Sequence, residues 1–420
     1  MRVLVIGSGA REHALCWRLQ GCDSVEEVLA VPGNPGMAPV ARCVPAGPTD
    51  ATALLRLIRT WRVDLVVVGP EGPLVAGVAD RLREHGVAVL GPSAAAAKIE
   101  GSKSWAMRLC HRHGIPAPAA ERCADPGEVL ARARTCALPA VLKADGLMSG
   151  KGVVVAQDRE EAVAAAAALS AAGPVVFEEF LTGREVSAFA LCDGQRALFY
   201  GLARDHKRLL DGDRGPMTGG MGAFSPVPDV AAQDLDAIRS ILQAAVSAMA
   251  AEGRPFVGFL FAGLMLTAGG PKVLEFNCRF GDPEAQSLLC LLAGDVAPQW
   301  LRAARGCLEA DETVSFATGA AFGVVLAAPG YPQAPRTGQG ISGLAPDGQL
   351  AGEEALVFHA ATTHDGAWHT AGGRVLTVVG RGADVAAARA AAYAAVPAAA
   401  FEGAQWRTDM GVIAGARCPQ

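Results

Sequence analysis

An α/β and α+β multidomain fold is predicted by three observations on the 420-residue chain. The first hundred residues alternate apolar strand patterns with helical ones, the middle is strand-rich around glycine loops, and the last hundred place strands before a helix. The length suits roughly two to four domains of ~100–200 residues. Hydrophobic residues make up 51% of the chain and mean hydropathy is +0.27, enough for sizeable cores, so disordered and collagen-like classes are excluded.

Taken in order, strands are expected over 3–6, 28–31, 65–68 and 87–90, with helices over 11–19, 51–61 and 75–85 between them. That rhythm predicts βαβ units and a mainly parallel sheet, whose ligands bind beyond the carboxyl ends of the strands. Those ends are Gly7-Ser8-Gly9, Pro32-Gly33-Asn34 and Gly69-Pro70-Glu71-Gly72. A helix over 101–113 is broken by Gly114, Pro116 and Pro118. Strands dominate 140–199, with one alanine-rich helix over 159–168. A glycine-rich loop over 212–222 leads to a helix over 231–251 and strands over 257–266 and 272–276. Strands over 323–327, 355–360 and 375–379, then a helix from Asp384, read as an α+β module. No repeat of solenoid period is present.

The longest uncharged run, 313–335, carries three glycines and three prolines, and its apolar part near 320–328 is too short for a bilayer. The N-terminus reaches Gly7 and Gly9 in place of an apolar signal segment, so a soluble, cytoplasmic protein without a membrane partner is expected. A net charge of −5 argues against nucleic-acid binding, which needs a basic field. The 11 cysteines contain no C-x-x-C pair and read as reduced, buried thiols.

Four motifs carry chemistry. Gly7-Ser8-Gly9 invites a dinucleotide-binding reading, but the fingerprint needs a small residue where Glu12 stands and an acid where the second strand ends Val31-Pro32-Gly33-Asn34. The turn either is structural or presents backbone N–H groups to another phosphate, the reading preferred here. The run from Lys143 to Gly152 is no Walker A motif: three residues separate Gly146 from Gly150, Gly152 replaces the hydroxyl, and a strand follows. It reads as a glycine loop between antiparallel strands, able to fold over a triphosphate with Lys143 and Lys151 neutralising charge. Beyond a strand over 175–177, Glu178 and Glu179, then Glu185, either accept from an adenine amino group and ribose hydroxyls or stand as solvated edge carboxylates.

In the third motif, strand alternation sets Glu275 and Asn277 on one face, a donor pair suited to magnesium shared with phosphates. Arg279 lies beside them, able to stabilise a transferring phosphoryl group, with Asp282 and Pro283 following. The alternative is a surface salt-bridge network ahead of a helix. The fourth motif joins Arg204-Asp205-His206-Lys207-Arg208 to the glycine loop over 215–222, an anionic-substrate site or a solvated charged face.

Together these segments resemble the phosphoribosylamine–glycine ligases, ATP-grasp enzymes of purine synthesis. The resemblance rests on VLVIGSGAREHAL, VGPEGPLVAGVAD, GPSAAAAKIEGSKSWAM, KADGLMSGKGVVVA, FEEFLTGREVS, DHKRLLDGDRGPMTGGMGAFSP, GFLFAGLM, VLEFNCRFGDPEAQ, FHAATT and GGRVLTVVG, and spans nearly the whole chain. It implies a Rossmann-like N-terminal parallel α/β domain over 1–100, and an ATP-grasp central domain over 101–118 and 188–320. A small mobile lid subdomain over 119–187 and a small C-terminal α+β domain over 321–420 complete the arrangement. The implied reaction joins glycine to 5-phosphoribosylamine at the expense of ATP, through a glycyl phosphate, with Mg2+ or Mn2+ and as a monomer.

By matched position, Lys103, Lys143 and Lys151 would contact ATP, with Glu178, Glu179, Phe180 and Glu185 framing the adenosine. Glu275 and Asn277 would hold the metal, and Arg279 and Lys151 would stabilise charge in catalysis. Gly7, Gly9, Glu71, Asp205, Lys207, Gly219, Gly220, Met221, Gly222 and Asp282 would bind glycine and the ribosylamine. Two departures bear on the lid and the nucleotide: Met217 where the family carries Asn, and a loop shortened to Ser170-Ala171-Ala172-Gly173-Pro174. Another ATP-grasp carboxylate–amine ligase is the alternative enzyme, and a non-catalytic nucleotide-binding protein the alternative from another class.

Overall fold

The computed structural model describes residues 1–146, 152–351 and 355–412. Its N-terminal sheet has five parallel strands in the order Arg42–Cys43, Glu27–Pro32, Arg2–Gly7, Leu65–Val68 and Val89–Leu90. The central strands are buried on both faces, which is why they read as continuous apolar runs instead of alternating ones. The expected helix over 75–85 is two short helices, Glu71–Val75 and Val78–Arg83. Gly77, at φ +77°, turns the chain between them.

Three further helices were not anticipated, among them Ala297–Ala304 beneath the large sheet. Ala94–Gly101 starts at Ser93, whose side chain accepts from the Ala96 N–H. Pro126–Thr135 starts with a capping box in which Asp125 and Glu128 exchange bonds and Pro126 takes the first turn. Its apolar stripe is too thin to betray it, since only Val129 and Ala133 are buried. With Arg159–Ser170 this helix covers a four-stranded antiparallel sheet in the order Ala120–Cys123, Val175–Glu179, Ala140–Ala144, Val153–Ala156. That unit has its own small core around Val129, Leu142, Ala166 and Phe177.

The largest sheet has eight strands, in the order Gly270–Asn277, Val257–Thr267, Arg184–Asp193, Ala197–Asp205, Gly222–Ser225, Ala320–Ala327, Arg374–Gly382, Leu356–His359. All its pairings are antiparallel. The short strand Gly222–Ser225 splices the two halves, pairing with Ala197–Asp205 on one side and Ala320–Ala327 on the other. One face packs on the helix Ala232–Ala251. The other buries an aromatic cluster in which Phe259 and Phe280 lie 4.4 Å apart and the Trp300 indole N–H donates to the Tyr200 hydroxyl at 2.7 Å. That bond gives the indole N–H of one fully buried ring an acceptor on the other, so the apolar area of both is gained without leaving the indole donor unpaired.

Candidate active site

Three elements end at one cavity of about 340 Å³. The carboxyl end of the N-terminal sheet supplies Pro70 and Glu71. The end of Gly270–Asn277 and the loop after it supply Glu275, Asn277, Arg279 and Asp282. The small antiparallel sheet contributes Gly146, Gly152 and Val153.

Arg279 organises the centre. Its Nε donates to Glu71 Oε2 at 3.0 Å and its Nη2 meets Glu100 Oε1 at 3.0 Å. Burial alone would weaken this base, but the two carboxylates outweigh it and hold the guanidinium charged far beyond its ordinary value. Glu100 is itself pushed up by burial against the pull of Arg279, and the Cys278 N–H donates to its Oε2 at 2.8 Å. Glu71 stays below the usual carboxylate range: burial would raise it, and Arg279 with Arg11 overcomes that.

On the small antiparallel sheet, Lys143 donates to Glu178 Oε2 at 2.8 Å and to the Leu274 carbonyl at 2.8 Å. Glu178 Oε1 is buried without a partner among the described residues, an acceptor still to be satisfied. Lys103 reaches the Gly146 carbonyl at 2.9 Å, and burial lowers its pKa despite the nearby Glu275. Glu179 and the 37% exposed Phe180 border a second cleft of about 450 Å³, together with Ala119 and Leu138. Lys151 lies outside the described residues.

Just past the strand Ala197–Asp205, Lys207 bridges Glu185 Oε1 at 2.5 Å and Asp205 Oδ1 at 3.0 Å. Burial disfavours its charge, yet Asp205 and Glu185 raise its pKa well above the ordinary lysine value. Glu185 therefore meets Lys207 and does not border the cleft at Phe180. Asp282 Oδ2 takes Arg374 Nη2 at 2.7 Å, and Arg374 Nη1 also donates to the carbonyls of Gly219 (2.6 Å) and Asp282 (2.8 Å). Gly219 and Thr218 line the cavity, Gly220 adopts φ +109° beside Pro283, and Met221 is fully buried in the core behind the loop. Gly222 begins the splicing strand.

Gly7 and Gly9 do not line the cavity. The Gly9 N–H donates to Glu12 Oε2 at 2.7 Å, and a Cβ on Gly69 would lie 2.2 Å from Glu12 Oε1. The buried Glu12 side chain thus fills the space that a dinucleotide turn leaves for pyrophosphate. Arg11, Glu100, Glu284 and Arg374 line the cavity and were not singled out from sequence. Glu284 stands directly after Asp282-Pro283 in the third motif, and Arg11, Glu100 and Arg374 stand within segments that carry the resemblance without having been singled out there.

A divalent cation fits the wall at Glu275 and Asn277. Both side chains face the cavity from one strand, and among the described residues neither enters a hydrogen bond or ion pair. No group of three or more His, Cys, Asp or Glu that could hold a metal occurs among the described residues. A two-oxygen site leaves the remaining positions to phosphate and water, the arrangement magnesium favours.

With this geometry in view, the chain matches three family models: the phosphoribosylglycinamide synthetase N domain over 1–100, its ATP-grasp (A) domain over 101–285 and its C domain over 321–413. It is 46% identical over 420 residues to the phosphoribosylamine–glycine ligase of Caulobacter vibrioides, covering 98% of each chain. The crystal structure of the Thermotoga maritima phosphoribosylamine–glycine ligase superposes with a TM-score of 0.83 at 34% identity, covering 97% of this chain and 100% of that one. A Campylobacter jejuni biotin carboxylase matches at TM-score 0.73 and 15% identity, over 96% of this chain and 92% of that one, a likeness of fold alone.

Proposed function

The chain belongs to the phosphoribosylglycinamide synthetase family, and from that membership we propose how its residues divide the work. It is an ATP-dependent ligase that joins glycine to 5-phosphoribosylamine, giving glycinamide ribonucleotide, ADP and phosphate in purine biosynthesis. In our reading a glycine carboxylate oxygen attacks the γ-phosphorus and ADP departs, leaving glycyl phosphate. The ribosylamine nitrogen then attacks the acyl carbon, and the C–O bond breaks with its electron pair on phosphate. A free carboxylate is a poor acyl donor, which is the reason for phosphorylating it first.

Such chemistry asks the protein for positioning and charge neutralisation in place of a nucleophile. Lys103, Lys143 and Lys151 would hold the polyphosphate, and Glu178, Glu179 and Phe180 the adenosine. Glu275 and Asn277 would hold Mg2+ or Mn2+, which when bound offsets charge on the phosphoryl oxygens. Arg279 would face the transferring group with its charge secured by Glu71 and Glu100. Asp205, Lys207, Asp282 and the loop at Gly219 would take the small substrates, and Gly7 and Gly9 would shape the turn behind Glu71. The reading extends to a cytoplasmic monomer acting on small molecules only; the net charge of −5 weighs against nucleic acid as a partner.

One observation carries this division: a single cavity gathers paired arginine and lysine charges beside an unpaired Glu275–Asn277 oxygen set. The test is ADP release with ATP and Mg2+, omitting glycine and ribosylamine in turn, the latter generated in place from ribose 5-phosphate and ammonia. ADP and glycinamide ribonucleotide in equal amounts only when both are present is the expected result. Release triggered by a different carboxylate would overturn the substrate assignment.

A further inference from the structure

The ribosylamine nitrogen sheds a proton as it becomes an amide, and none of the roles above accounts for where it goes. We propose that Glu284 is the catalytic base of that step, its carboxylate taking the proton as the C–N bond forms and phosphate leaves. The inference rests on the reaction proposed above.

Among the described residues, six carboxyl side chains line the cavity. Glu71 and Glu100 are paired with Arg279, Asp205 with Lys207, and Asp282 with Arg374. Glu275 belongs to the metal wall. Glu284 remains, and among the described residues it has no cationic partner. It is 4% exposed, and its Oε1 accepts from the Ser187 hydroxyl at 3.1 Å. A Cβ on Gly281 would lie 2.5 Å from its Oε2, so the glycine there leaves room for that oxygen.

The charged groups that act on it come from several elements. Asp205 closes the strand Ala197–Asp205 and Lys207 follows it, held also by Glu185; Arg279 and Asp282 lie on the preceding loop, and Arg374 on the sheet's far half. Burial, then Asp205, raises the Glu284 carboxyl to about 7, with Lys207 opposing. A base poised there is well matched to proton transfer at neutral pH.

The reverse reaction tests this with stable reactants: ATP formation from glycinamide ribonucleotide, ADP, phosphate and Mg2+ across pH 6–9. Glu284 then acts in its acid form, protonating the departing amine, so the wild-type rate should fall as pH rises past ~7. Glu284→Gln should remove that limb and cut kcat about 100-fold or more, with KM for the ribonucleotide nearly unchanged. Ser187→Ala, which removes a donor to the charged form, should move the limb to higher pH and keeps the test open if Glu284→Gln does not fold. A Glu284→Gln enzyme with the wild-type profile, or one altered in KM alone, would overturn the proposal, as would an unmoved limb in Ser187→Ala. No ATP formation by the wild type would instead defeat the reaction assignment.

Discussion

Arg374 holds four acceptors at once, the carbonyls of Gly219, Gly220 and Asp282 and the Asp282 carboxylate, and so joins the glycine loop at Gly219 to the loop after the strand Gly270–Asn277. Arg374→Met would leave the half-buried Asp282 carboxylate without the cation it is bonded to, at a cost of about 1–3 kcal/mol. We expect a lower thermal midpoint at pH 7 together with raised KM for the small substrates. Asp282 is held below its usual range, since Arg374 outweighs burial. The pair's contribution is therefore full above pH ~4 and is lost only as pH falls through the lower folded value. Glu284 has the opposite sign. Its folded value near 7 exceeds the unfolded one, so its contribution is full below pH ~4.5 and is lost as pH rises through 7. Calorimetry should find Glu284→Gln more stable than wild type at pH 8 and nearly equal at pH 4.5, and equal midpoints at pH 8 would refute this. Sequence patterns exposed Glu275, Asn277, Arg279 and Asp282 because they stand together after one apolar strand. Arg374 and Glu100 were hidden because each stands far along the chain in an apolar or alanine-rich segment, and only the tertiary fold brings them to Asp282 and Arg279.

Elements meet the glycine loop at Asp145, which follows the strand Ala140–Ala144. Asp145 Oδ1 accepts from the Ser102 hydroxyl (3.0 Å) and the Ser104 N–H (3.2 Å), while Oδ2 takes the Ser104 hydroxyl (2.7 Å) and Arg122 Nε (3.0 Å). The Asp145 N–H in turn donates to the carbonyl of Pro174, the end of the shortened loop. Ser102 also caps the helix Lys103–Arg112, accepting from the Trp105 N–H. One carboxylate thus fixes the glycine loop's first residues against the helix that presents Lys103. Asp145→Ala should cost about 1–3 kcal/mol in stability. It should also raise KM for ATP more than it lowers kcat, which steady-state kinetics with ATP varied would check; an unchanged KM would show that the loop is positioned from elsewhere. The antiparallel strands flanking the glycine loop were legible because valine-rich runs are local signals, while residues 147–151 of the loop lie outside the described residues. The helix Pro126–Thr135 was not, although its start is marked by Asp125, Pro126 and Glu128, because only two of its residues are buried. The break at Gly77 was equally visible in composition, but a single glycine within an apolar stripe also fits an unbroken helix.

Across the whole molecule, the N-terminal unit is locked to the C-terminal strands through histidines. His13 Nδ1 accepts the His359 backbone N–H at 2.9 Å, and Asn34 Nδ2 donates to the carbonyls of both Ser8 and His359. The Pro32-Gly33-Asn34 strand end, expected to face a ligand, is used here for attachment. Gly36 allows the close fit, since a Cβ there would lie 2.2 Å from His359 Cγ. The same helix carries Arg11 to the cavity, and the same sheet carries Arg374, so this junction sets the distance between two walls of the site. Both imidazoles are buried and neutral: burial lowers His13 well below its usual value, with His359 adding to it, and lowers His359 to about 4. The unfolded chain binds these protons near pH 6.5, so the junction's contribution is full above that pH and is lost as pH falls toward 4. For His359 alone the shift corresponds to about 3 kcal/mol. Thermal unfolding between pH 7.5 and 4.5 should therefore show a steep acid loss of stability. His13→Asn, which offers His359 an acceptor that does not titrate, should flatten that loss by close to one proton. Activity recovered on returning to pH 7.5 should match wild type if the walls reseat. An unchanged slope in His13→Asn would place the acid sensitivity elsewhere, at His359 itself or at the half-buried His206 beside Asp205, which burial also lowers to about 4.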